Sequence, residues 1–175
     1  MTVKKSIILW GFIILLIGVC FAAFTTPTCA ETMKYKAYTY SAKTERVLIG
    51  DVEGHALGLA VRRGILVFEN GENGTELQVV TSDQVKGTGP ILLYATITFT
   101  DGSTIIVKSQ GALGGTALAA TTTSESTGEI VKGTGRFEGI RGTYTRRQKY
   151  FPLEKGEDAP KGIGEGIITY TLPSK

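Results

Sequence analysis

"ILLYATITFTDGSTIIV", Ile91–Val107, is the stretch that decides the fold. Its first half alternates. Leu93, Ala95, Ile97 and Phe99 share one side of an extended chain; Tyr94, Thr96, Thr98 and Thr100 share the other. A period of two residues, rich in β-branched and aromatic side chains, reads as a strand. Asp101-Gly102 follows as a tight hairpin turn, because glycine accepts the positive φ that such turns need. Ser103–Ser109 then runs back as the partner strand.

The same grammar extends in both directions. Lys34–Ser41 carries Tyr35, Tyr38 and Tyr40. Ile65–Glu69 leads into Asn70-Gly71, a strong turn pair, with Asn73-Gly74 as a second. Thr75–Thr81, Ala117–Thr123, Gly128–Val131, Ile140–Gln148 and Ile163–Leu172 complete the set. No amphipathic helical pattern follows residue 30. Strands at this spacing, joined by glycine turns, fit an antiparallel barrel or a sandwich. The all-β reading taken forward is a single antiparallel barrel of about eight strands, calycin-like, over residues 31–175. Such a barrel has room inside for side chains or one small ligand, and its closure leaves no exposed edge.

Met1–Ala30 reads differently, as a signal peptide. Lys4 and Lys5 give a positive start, Ile7–Phe24 is apolar, and Thr28-Cys29-Ala30 ends in a small residue suited to cleavage. The protein is therefore expected to be secreted or periplasmic. Left uncleaved, the apolar run is just long enough to anchor the chain in a membrane, at about 18 residues. Both cysteines lie in this segment, so Glu31–Lys175 has none and must be held by packing alone. The whole chain has 19 basic and 16 acidic residues, and two of the lysines are in the signal segment. A nearly neutral remainder argues against a nucleic-acid partner, which needs a basic surface. One histidine without cysteine argues against a zinc site, and no cofactor is expected.

The densest glycines fall in "IVKGTGRFEGIRGTYT", Ile130–Thr145. Neither Gly139 nor Gly142 is followed by the Lys-Ser/Thr of a Walker loop, and no helical pattern follows to make a dinucleotide fingerprint. Glycines in strands allow bends and close backbone approach. Phe137 is expected to fill the space that Gly133, Gly135 and Gly139 leave open. "VKGTG" occurs at Val85–Gly89 and again at Val131–Gly135, and reads as one bend used at two barrel corners.

"GTGRFEGIRGTYTRRQKYFP", Gly133–Pro152, resembles the C-terminal signature of allene oxide cyclases and dirigent proteins. "FTDGSTIIVKSQG", Phe99–Gly111, resembles the strand pair that precedes it in those barrels. The resemblance implies an eight-stranded antiparallel barrel with an apolar cavity, and a homo-oligomer, by resemblance a trimer. It also implies a small hydrophobic molecule in the lumen, with cyclase or isomerase chemistry, or stereo-directing activity, achieved mainly by restricting a bound substrate. Two further readings stay open beside it: a non-catalytic, lipocalin-like binder and a structural envelope protein.

Candidate residues follow. Glu53 and His55 are the proton handlers of a catalytic reading, two residues apart and so on one strand face. Tyr35, Tyr94, Phe99, Phe137, Tyr144 and Tyr170 are the expected ligand-binding lining, since tyrosine joins an apolar body to a polar tip. Arg62-Arg63 and Arg146-Arg147 each send one member to either face of a strand. One member of each could then face a cavity and orient an anionic or carbonyl group; because arginine is mostly exposed, the favoured reading places both pairs on solvated rims. Glu138 is expected to pair with Arg136 or Arg141.

Overall fold

The computed structural model describes residues 29–114, 122–153, 155 and 160–174; the signal segment up to residue 28 lies outside them. Eight strands follow one another: β1 Glu31–Leu48, β2 His55–Phe68, β3 Asn73–Val85, β4 Gly89–Phe99, β5 Thr104–Gly114, β6 Thr122–Thr134, β7 Arg141–Tyr150 and β8 Lys161–Thr171. Each pairs antiparallel with the next, and β8 returns to β1, so the sheet closes into a barrel. The closing register sets Glu31 opposite Tyr170 and Tyr38 opposite Ile163.

Turn chemistry accounts for the hairpins. Gly102 and Gly71 have φ of 82° and 87°, as their turns require. Asn73-Gly74 is not a turn, because both residues already pair in β3 with Val67 and Leu66. The first "VKGTG" is a hairpin turn with Lys86 and Gly87 at positive φ. The second runs as strand to Thr134, beside a register shift at Ile106/Val107. One five-residue string therefore takes two conformations, at opposite ends of the barrel. Only Thr122 and Thr123 of the expected strand Ala117–Thr123 fall among the described residues, at the start of β6.

Alternation sends every second side chain inward. On β1 these are Met33, Tyr35, Ala37, Thr39 and Ser41; on β4, Ile91, Leu93, Ala95, Ile97 and Phe99. The two barrel ends differ in chemistry. At one end a run of rings fills the lumen. Centroids are 5.7 Å apart for Tyr35–Phe68, 5.2 Å for Phe68–Phe99, 4.8 Å for Phe99–Phe137 and 6.0 Å for Phe137–Tyr170. Phe137 comes from a short 3-10 turn, Gly135–Phe137, that closes this end. A Cβ on Gly133 would stand 2.1 Å from the Phe137 carbonyl oxygen. The dense glycines of Ile130–Thr145 thus let the backbone fold close enough to seat one aromatic plug. At the other end polar side chains such as Ser41, Arg62 and Gln148 are buried among apolar ones such as Val80 and Leu113, and the functional question concentrates there.

Candidate functional site

Arg62 and Arg146 lie inside the barrel, at 8% and 5% exposure, whereas Arg63 and Arg147 face outward. The reading of both pairs as rim residues is thereby corrected. Strand alternation gives one member of each pair no route to solvent.

A layer of polar side chains surrounds these two arginines. Arg146 Nη1 donates to both carboxylate oxygens of Glu76 at 2.7 Å, and the two side chains are 2% and 0% exposed. The Tyr144 hydroxyl is 3.4 Å from the same nitrogen. Burial opposes the charge on Arg146, but the Glu76 carboxylate and the Tyr144 hydroxyl beside it hold the guanidinium well above its ordinary value. Burial also raises the Tyr35 and Tyr144 hydroxyls, keeping both neutral. Arg62 Nη1 donates to the Tyr150 hydroxyl, and its guanidinium carbon stands 4.5 Å from the Tyr150 ring centre. Gln148 donates to Thr39 across the β8 glycines. Those glycines are needed: a Cβ on Gly166 would sit 2.3 Å from the Tyr35 hydroxyl.

Among the described residues, several buried polar atoms in this layer have no hydrogen-bond partner. They include Ser41 Oγ, Arg62 Nε, both amide atoms of Gln78, Ser109 Oγ, and Nε and Nη2 of Arg146. Buried polar groups are ordinarily paired, so such a cluster marks a place where something else supplies the partners. Beside it, a cavity of about 140 Å³ opens at the polar mouth, lined by Ser41, Arg46, Ala60, Arg62, Val80 and Leu113 among others. Two larger depressions, about 820 Å³ and 910 Å³, run mainly along outward-facing strand residues of the barrel wall.

The expected site residues are placed as follows. Tyr35, Phe99, Phe137, Tyr144 and Tyr170 are buried in the aromatic half, and none lines the mouth cavity. Burial and the hydrogen bond to Glu31 (2.6 Å) raise the Tyr170 hydroxyl to about 12. Tyr94 does not face the lumen. It is 43% exposed on the outer wall, 5.9 Å from the Lys108 ammonium, because Leu93 and Ala95 take the inward positions. Glu53 is in the β1–β2 turn, 89% exposed, and pairs with Lys86 rather than with His55. Arg136 pairs with Glu72 at 2.6 Å and lies 3.6 Å from Asp101, in place of the expected Glu138 contact.

His55 stands on the outer rim of the polar mouth, between two carboxylates. Its Nδ1 is 2.5 Å from Asp51 Oδ1 and its Nε2 is 2.8 Å from Asp83 Oδ1. Hydrogen bonds to Asp51 and then Asp83 raise the imidazole above its ordinary value, and the bond from His55 lowers Asp51. The clamp's contribution is therefore complete below the unfolded histidine value, about 6.5. It is lost as pH rises through the higher folded value. On the acid side it is lost as pH falls below the ordinary aspartate range. A histidine NMR titration should show a pKa above 6.5, and Asp83→Asn should move it downward; an unshifted value would remove the clamp.

Ser41, Glu76 and Gln78 were not among the residues singled out from sequence, and Arg62 and Arg146 were singled out only as members of the two arginine pairs. The one usable signal was the double arginine on an alternating strand, which obliges one member to point in.

Compared with known proteins, the chain matches no family model, and no curated protein matches it. Among solved structures it is similar to two pterocarpan synthase dirigent proteins. With GePTS1 it shares 15% identity at a TM-score of 0.45, covering 85% of this chain and 94% of that one. With PsPTS1 it shares 16% identity at a TM-score of 0.46, covering 83% and 99%. The likeness is one of fold. The closed eight-stranded antiparallel barrel implied by the sequence resemblance is the architecture this chain adopts.

Proposed function

We propose that this protein is an exported barrel that binds one compact small molecule at the polar mouth of its lumen. One observation carries the reading. Unpartnered buried polar atoms on Ser41 and Arg62 belong to the same residues that line the open space. A barrel that only needed a stable core would gain by replacing them with apolar residues, since unpaired buried polar groups cost about 1–3 kcal/mol each.

The size of the space limits the occupant. About 140 Å³ is well below the several hundred that hold drug-sized ligands, and close to a cavity that accepts one benzene ring. The aromatic half is occupied by its own rings. Binding without catalysis is the reading the geometry supports best. Glu53 and His55 lie on the outer rim, with their polar atoms engaged by Lys86 and by two aspartates. A cyclase, isomerase or stereo-directing role would have to rest on restricting the substrate alone. Export rests on the Met1–Ala30 pattern.

Native mass spectrometry of protein purified from its own host tests the proposal. A retained organic mass, lost on denaturation and absent in an Ala60→Phe variant that fills the mouth, is the expected result. A bare protein mass from every preparation would count against it.

A further inference from the structure

We infer that the mouth ligand carries a carboxylate, seated on Ser41, Arg62 and Gln78. The inference rests on the binding reading above and adds the chemical class.

Three adjacent strands supply the cradle. Ser41 on β1 is opposite Arg62 on β2, and Arg62 is opposite Gln78 on β3. All three side chains point inward, and they are 4%, 8% and 0% exposed. Each has a donor without a protein acceptor: the Ser41 hydroxyl, Arg62 Nε and Gln78 Nε2. Ser41 and Arg62 line the cavity itself; Gln78 stands behind them on the next strand, fully buried, with both its amide nitrogen and its amide oxygen unpartnered. Donors set side by side in one row suit an acceptor with more than one lone-pair site. A carboxylate has two oxygens and about four such sites.

Charge selects an anion over a neutral acceptor. The fully buried carboxylate of Glu76 is already held by Arg146 through both of its oxygens. Arg62 meets only the neutral Tyr150 hydroxyl and ring. The cavity lining adds the cation Arg46, and its one acidic residue, Glu45, is bound to Lys43 at 2.6 Å. Among the described residues, the mouth therefore holds cationic charge without a counter-charge. A guanidinium does not shed its proton in a protein, so it cannot relieve this by titrating. A bound water would satisfy hydrogen bonds and leave the charge as it was. A carboxylate does both, and charge-assisted bonds are about twice as strong as neutral ones. The remaining lining, Ala60, Val80 and Leu113, offers an apolar wall for a small organic body.

Benzoate, benzamide and inorganic phosphate, titrated separately into the full-length folded protein by NMR, test the inference. Benzoate should shift the amide signals of Ser41, Arg62 and Gln78. Benzamide, the same shape without the charge, should bind at least about tenfold more weakly, the factor expected for losing one charged hydrogen bond. Arg62→Met should weaken benzoate by about tenfold or more. Should that variant fail to fold, Ser41→Ala, which keeps the charge, should weaken benzoate several-fold. Equal binding of benzamide and benzoate would overturn the carboxylate while leaving a ligand-binding mouth. Phosphate binding as tightly as benzoate would also overturn it, in favour of a general anion site. No response to any of the three, together with a bare mass in the native measurement, would overturn both readings.

Discussion

Glu76→Ala should destabilise the protein by about 3–5 kcal/mol, the cost of leaving a buried charge without its partner. Glu76 is the carboxylate that neutralises Arg146, and both side chains are essentially sealed from water. Removing it leaves two buried guanidiniums, Arg62 and Arg146, in one lumen. With total stability of roughly 5–15 kcal/mol, the loss is a large fraction of the whole. In urea, at a slope near 2 kcal/mol/M, the midpoint should fall by about 2 M. The paired replacement Glu76→Leu with Arg146→Met should restore most of the loss, because exchanging a whole buried ion pair for apolar residues is often neutral or stabilising. A single variant that costs under about 1 kcal/mol would mean that water reaches this pair.

Phe137→Ala should cost a comparable 3–5 kcal/mol, the range for truncating a buried phenylalanine. The ring contacts Phe99 and Tyr170, and the Arg136 guanidinium lies 4.8 Å from its centre. It enters the barrel from a three-residue turn rather than from a strand. Phe137→Leu, which keeps most of the volume, should lose much less. Thermal unfolding separates the two. At about 2–4 °C per kcal/mol for a domain of this size, the alanine variant should melt roughly 10 °C lower. Similar melting points for both would show that the ring does not seal the aromatic end.

Much of the architecture was legible because alternation and turn residues are local signals. The β4–β5 hairpin could be read almost residue by residue, and the eight-strand barrel followed. What could not be read was which face of a strand points inward. On β2 the outward set is Leu57, Leu59, Val61, Arg63, Ile65 and Val67, and the inward set is Ala56, Gly58, Ala60, Arg62, Gly64 and Leu66. Hydropathy alone would choose the wrong face. The lumen of a small barrel is crowded, so the inward positions take Gly and Ala where an opposing chain or ring comes close. On β8, Gly162, Gly164 and Gly166 face in while Ile163 and Ile167 face out. The same reversal hid Arg62; on β4 the apolar set does face in, and Tyr94, on the opposite side, faces out. Glu76 and Gln78 sit in an ordinary alternating strand, "TELQVV", and nothing near them in sequence announces that the polar members are the buried ones. Their roles depend on Arg146, which is 70 residues away from Glu76 and arrives only through closure.

The ring of ladders from β1 round to β8 also constrains how this protein can meet others. Every strand has a neighbour on each side over most of its length, although β1 runs on to Leu48 beyond its last pair with β8 at Tyr40. Recognition by adding a strand, a common way for sheet proteins to capture extended segments, is closed along the doubly paired part of this wall. A macromolecular partner meeting that paired wall would be read by side chains on the outer surface, such as Tyr38, Tyr40 and Ile65.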